Sequence, residues 1–155
     1  MVQKLKQRRE FFDSSLEKNP LQVDGRVFNY ACPCCGYPAL SVKAGYDYCF
    51  ICGWEDDGQD DDTGINRKSS PNHGITLSEA RKNFEKEHRS YLHTKEKKVF
   101  VELREHIIDL FESLKNIKDV NKEKNIIDSL NKSYKKYKRL LSLIKSQKDY
   151  NLLED

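Results

Sequence analysis

The clearest hydrophobic periodicity lies in the C-terminal third of the chain. Phe100, Leu103, Ile107, Leu110, Leu114 and Ile117 step by three and four residues. After the polar interruption KDVNKEK the same steps resume at Ile127, Leu130, Tyr134, Tyr137, Leu141 and Ile144. Residues so spaced share one face of a helix, and two such helices joined by a short loop predict an antiparallel hairpin over about 96–148. An earlier helix is predicted from Thr76 to about residue 92. Thr76 and Glu79 form a capping box that satisfies the first free N–H groups, and Leu77, Ala80, Phe84 and Tyr91 fall on one face. Between Arg26 and Phe50 the texture changes to short β-like pieces, RVFNYA, ALSVK and YDYCF, with Gly and Pro between them. The stretch GWEDDGQDDDTGINRKSSPNHG then reads as loop, because its residues bury little and compete for backbone hydrogen bonds. Leu5, Phe12 and Leu16 give residues 2–18 a weak amphipathic pattern, a short helix ending before Pro20.

Composition adds a constraint. Of 155 residues, 37% are hydrophobic and 34% charged, so the apolar material is spread thin and a small β region needs a further staple. No run of about 18 apolar residues occurs, and the opening MVQKLKQRRE lacks the apolar stretch of a signal peptide. The expectation is a cytoplasmic protein without a membrane partner. Disulfides rarely persist in a reducing compartment and five cysteines is an odd number, so a thiolate metal site is the better default. The net charge of +3 conceals two opposed regions. Ala44 to Asp62 carries seven acids and no Lys or Arg, whereas Asn131 to Lys148 carries seven bases and no acid.

Four of the cysteines form two matching turns, Cys32-x-x-Cys35-Gly36 and Cys49-x-x-Cys52-Gly53. Two intervening residues let both sulfurs of a tight turn face one ion, and two such turns complete the tetrahedron that Zn²⁺ prefers. Glycine after each second cysteine suits a turn needing positive φ or close backbone approach. The gap between the turns accommodates a strand out, Ala39 to Lys43, a turn at Ala44-Gly45, and a strand back, Tyr46 to Phe50, as in a zinc ribbon. Structural zinc on Cys32, Cys35, Cys49 and Cys52 is therefore expected. Iron in a rubredoxin-like site is the second choice, and four unliganded buried thiols the third. Four thiolates leave no open position for a catalytic water, so the metal serves folding. Cys34 matches neither pair. It is read as a small residue within the turn, with a reactive thiol as the alternative. The fold class is thus α+β: a small zinc-ribbon β unit packed on a helix, followed by an antiparallel two-helix hairpin. The expected divisions are 1–25, a short helix and linker; 26–92, the ribbon with its helix; and 93–155, the hairpin.

CPCCGY, CFICGWEDDG and PNHGITLSEARKNF, in that order, resemble the cysteine-rich CPCC family of small bacterial proteins. The resemblance spans roughly Tyr30 to Phe84 and implies a metal-binding role for Cys32, Cys35, Cys49 and Cys52, without implying a settled activity. It also implies that Trp54, Glu55, Asp56, Asp57, Asn72, Gly74, Leu77, Ala80, Arg81, Asn83 and Phe84 belong to one unit.

WEDDGQDDD fails the offsets of an EF-hand and reads as a solvated acidic loop, or one pairing with Arg81 and the basic helix. Trp54 is expected to pack over the metal turn or against the Leu77/Phe84 helix; were it exposed, it would mark a binding hot spot. With Glu55, Asp56, Asp57, His73 and Arg81 it makes a candidate partner surface. A Cys34/His73/Asp57 nucleophilic arrangement would make a thiol-dependent enzyme, but spacing gives no sign that the three meet. Lys132, Lys135, Lys136 and Arg139 could contact nucleic-acid phosphates, while Tyr134 and Tyr137 sit on the heptad seam and read as interface. No catalytic site is recognisable. The leading expectation is a structural-zinc protein-interaction module of the immunity or antitoxin kind, its acidic loop meeting a basic protein partner. A nucleic-acid-associated zinc protein is the alternative, and the heptads would allow a homodimer through the hairpin.

Overall fold

The computed structural model describes the backbone of residues 2–151 and the side chains of 3–146. Residues 152–155 of the predicted hairpin segment, and the side chain of Lys148, lie outside them. The chain is α+β and divides into two compact units, Met1–Lys97 and Lys98–Asp155.

In the first unit, helix α1 (Val2–Lys18) precedes two short antiparallel strand pairs. Strands β1 (Leu21–Val23) and β2 (Arg26–Phe28) are joined by Asp24-Gly25, both at positive φ (50° and 78°), the backbone of a tight two-residue hairpin. Strands β3 (Tyr30–Ala31) and β4 (Pro38–Leu40) flank the first cysteine turn. The weak stripe of α1 is a buried one. Leu5, Phe12 and Leu16 are all within the core, and the Phe12 ring lies 5.9 Å from that of Tyr37. Helix α2 (Leu77–Glu87) begins with the predicted capping box, Thr76 and Glu79 each accepting the other's backbone N–H, and buries Leu77, Ala80 and Phe84. It stops short of the predicted residue 92. His88 takes a left-handed cap (φ 53°) whose N–H returns to the Phe84 carbonyl, and Ser90 then donates its N–H to Cys52.

The predicted strand Tyr46–Phe50 does not form; a single bridge, Tyr48 to Glu55, stands in its place. Ala44 and Tyr46 both have positive φ, which breaks an extended run. The Asp47 carboxylate also accepts the N–H groups of Ser41 (2.6 Å) and Tyr48 (2.9 Å) that a ladder would use. Each cysteine turn consequently closes within its own hairpin instead of sharing one between them.

The second unit is the expected pair of helices, α3 (Lys98–Leu114) packed against α4 (Val120–Asn151). Phe100 at the start of α3 meets Tyr137 far along α4 (6.1 Å, edge-on), so the two run antiparallel. Its core is Leu103, Ile107, Ile108, Phe111, Leu130 and Tyr134. Phe111 takes the innermost place that the stepping pattern assigned to Leu110, which is only half-buried. Steps of four from Leu103 through Ile107 reach Phe111, with Ile108 widening the stripe. Among the described residues, no helix is long and apolar enough to cross a membrane.

Candidate metal centre

The two cysteine turns repeat one hydrogen-bonding scheme. In the first, Cys32 donates its N–H to the Tyr37 carbonyl (2.9 Å) and accepts that of Gly36 (2.8 Å). In the second, Cys49 donates to Trp54 (2.8 Å) and accepts from Gly53 (2.8 Å). Gly36 and Gly53 both sit at φ near 80° (79° and 83°), where an L side chain is strained, which is why glycine recurs at that offset. Facing one another, the turns bring the Sγ atoms of Cys32, Cys35, Cys49 and Cys52 within 4.8 Å of one another. Cys32 to Cys52 and Cys35 to Cys49 are each 3.7 Å. A disulfide would require about 2 Å, so all four are free thiols. Four sulfurs on a tetrahedron of 2.3 Å metal bonds would lie about 3.8 Å apart, so the cluster has the dimensions to hold a metal ion.

All four cysteines are buried, none more than 3% exposed. Burial holds the thiols of Cys32, Cys35 and Cys52 well above the ordinary thiol range. At Cys49 the same burial is outweighed by hydrogen bonds from the other three sulfurs and the Cys52 N–H, which hold it well below. A metal ion held among these four sulfurs would offset the charge of the thiolates that burial otherwise disfavours.

α1 and α2 brace the first turn. Arg8 donates Nε to the Cys35 carbonyl (2.9 Å) and Arg81 donates Nε to the Pro33 carbonyl (2.9 Å). Behind the second turn, the Asn72 side chain accepts the Glu55 N–H and donates to the Glu55 carbonyl, both at 2.8 Å. The acidic loop is tied down as well. Asp60 takes both terminal nitrogens of Arg9 (2.6 and 2.7 Å), and Asp61 takes Arg81 (2.5 Å) and Arg9 (3.0 Å). Asp56 accepts the Ala44 N–H and Asp57 accepts the Ser69 hydroxyl, each at 2.7 Å. Pairing with Arg81 was legible in the sequence, whereas the role of Arg9 was missed, because the weak stripe of α1 gave no sign of where that helix docks.

Other sequence candidates fall as follows. Trp54 is fully buried and Asp56 nearly so, so neither side chain offers a partner surface. Glu55, Asp57 and Arg81 are half-buried, and His73 is exposed with its ring stacked 4.1 Å from Tyr91. Cys34 is buried at the wall of a cavity that neither His73 nor Asp57 lines. Lys132, Lys135, Lys136 and Arg139 are all exposed on α4, whereas Tyr134 is buried and stacked on Tyr137.

Fold and site together define a small α+β protein organised around a buried four-cysteine centre. Residues 30–97 match the family model described as cysteine-rich CPCC. No curated protein and no solved structure matches the chain.

Proposed function

We propose that the protein is a binding module folded around a structural zinc ion held by Cys32, Cys35, Cys49 and Cys52, and that it recognises a protein partner rather than turning over a substrate. The observation that carries this reading is the closure of the cluster: four buried sulfurs, two per turn, with no position left for water or substrate. The partner surface is the rim of the acidic loop. Asp61 is 61% exposed while fixed by two arginines, and Asp62 beside it is exposed, so a basic partner meets one carboxylate already held in place with a second next to it. A factor of the immunity or antitoxin kind fits such a surface. Metal analysis of the purified chain should give one zinc per molecule, lost in Cys49→Ser and retained in Cys34→Ser. Iron, with the visible absorption of a thiolate complex, would replace the zinc reading. Capture from the native host should recover a basic protein with the wild type and lose it with Asp61→Asn/Asp62→Asn. Recovery of nucleic acid without a protein would overturn the partner reading.

The exposed stripe Lys132, Lys135, Lys136 and Arg139 supports a second reading, a nucleic-acid-associated zinc protein. Phosphate contacts release counterions, so binding would weaken with salt and with Lys135→Glu/Lys136→Glu. A gel shift at two salt concentrations that shows neither effect removes this reading.

A further inference from the structure

Between α1 and α2, inside the first unit, lies a cavity of about 500 Å³. Leu5, Arg8 and Arg9 line it from α1, Arg81 and Phe84 from α2, and Cys34 from the first turn. That volume is within the range of small-molecule sites. Its three arginines are not equivalent. Arg9 is engaged at both terminal nitrogens by Asp60 and Asp61. Arg81 holds Pro33 and Asp61, and its buried Nη2 makes no hydrogen bond, the Asp60 carboxylate being 3.6 Å away. Arg8 is held at one end only. Its Nε is bonded to Cys35, and its guanidinium carbon lies 4.9 Å from the centre of the Tyr37 ring and 5.6 Å from that of Phe84. Among the described residues its two terminal nitrogens have no hydrogen bond or ion pair.

A guanidinium fixed at Nε and against two rings cannot turn to water without giving up those contacts, so its outer nitrogens form a stationary pair of donors. Such a fork matches a planar carboxylate. We propose that this cavity binds a small monocarboxylate with an apolar body, its carboxylate on Nη1 and Nη2 of Arg8 and its body against Leu5 and Phe84. Charge on the lining favours a monoanion over phosphate. Lys6, Arg8, Arg9 and Arg81 face Glu10, Asp13, Glu17, Asp61 and Glu85, and two of the four bases are already paired with Asp60 and Asp61. A dianion would meet repulsion from this excess of carboxylate.

The test is a titration of the zinc-loaded full chain with 3-phenylpropionate, followed by amide chemical shifts in ¹H–¹⁵N spectra, beside inorganic phosphate at matched ionic strength. Saturable shifts at Arg8, Cys34 and Phe84 with the carboxylate, and weaker or no shifts with phosphate, are expected. Arg8→Gln should weaken binding by about tenfold or more, the loss of a charge-assisted pair. Ser14→Phe, a change at an exposed lining residue that leaves the Arg8 contacts in place, should block the cavity, and it decides the matter if Arg8→Gln loses its fold. No saturable shift with 3-phenylpropionate, equal binding of phosphate, or undiminished binding in Ser14→Phe would each overturn the proposal.

Discussion

Replacing Gly36 with alanine isolates the contact between α1 and the first cysteine turn. Two terms oppose the new methyl group. One is the left-handed backbone at φ 79°, which disfavours an L residue by about 1–2 kcal/mol. The other is crowding, since a Cβ at this position would lie 3.0 Å from Leu5 Cδ1, 3.2 Å from Arg8 Cβ and 3.3 Å from Arg9 Cγ. Leu5 can rotate its terminal methyl aside, but Arg8 Cβ is fixed to the backbone of α1, so the helix itself must shift. Overpacking of that kind adds about 1–3 kcal/mol, and the sum is about 2–5 kcal/mol. Gly53→Ala supplies the comparison. Its φ of 83° carries the same backbone term, while the nearest atom is the hydroxyl of the exposed Tyr48 at 3.2 Å, which can move away. A loss of only about 1–2 kcal/mol is expected there. Urea denaturation of the metal-loaded chain, read by fluorescence of Trp54, measures both. This is the single tryptophan and it is fully buried in the first unit, so the signal excludes the helical hairpin. Metal content should be unchanged in both variants. Equal losses would refute the reasoning, for they would mean that α1 does not press on the turn.

Three further outcomes follow from the packing. Asn72→Ala strips the Glu55 N–H and carbonyl of their side-chain partners behind the second turn and should destabilise the first unit by about 2–4 kcal/mol in the same denaturation assay. Phe111→Ala empties the centre of the helical pair and should cost it about 3–5 kcal/mol, seen as faster hydrogen exchange along α3. Acid should destabilise the first unit in part through Asp60 and Asp47, beside any release of metal as the cysteine sulfurs protonate. Burial raises both carboxyls, but Arg9 holds Asp60, and the Ser41 N–H with Arg26 holds Asp47, below the usual range. Depressed groups contribute stability that is present above the unfolded-state pKa and is lost as pH falls through the folded one, so the loss should begin near about pH 4 and continue downward. Asp56 has the opposite sign, since burial raises it and protonation relieves it. Asp60→Asn should flatten the pH profile below about pH 4; an unchanged slope would remove Arg9 and Asp60 as its source.

The metal centre was the most legible part of the sequence, because two turns of equal spacing with glycine at the same offset carry geometry in local order. The capping box at Thr76 and the antiparallel helices were legible for the same reason. What escaped depends on contacts between distant positions. Arg9 meets Asp60 and Arg8 meets Cys35 across separations of 51 and 27 residues, and nothing local marks either arginine. The strand expected at Tyr46–Phe50 failed because Ala44 and Tyr46 turn to positive φ, the Asp47 carboxylate takes the N–H groups of Ser41 and Tyr48, and Tyr46 and Cys49 donate to the backbone of Asp56 and Trp54, none of which strand propensity registers. Phe111 displaced Leu110 because strict heptad steps drift from the helical period, and packing selects the larger ring.

The docking of α1 bears on how this family region can be handled. The matched residues begin at 30, yet the surface they would present alone includes Gly36 and Tyr37, which here are covered by Leu5, Arg8 and Phe12 from outside the match. Excising residues 30–97 as a free-standing fragment would therefore lay open an apolar flank beside the first cysteine pair and remove the Arg8 support of the Cys35 carbonyl. A fragment intended to report on the family should keep α1, or supply another helix to roof that flank.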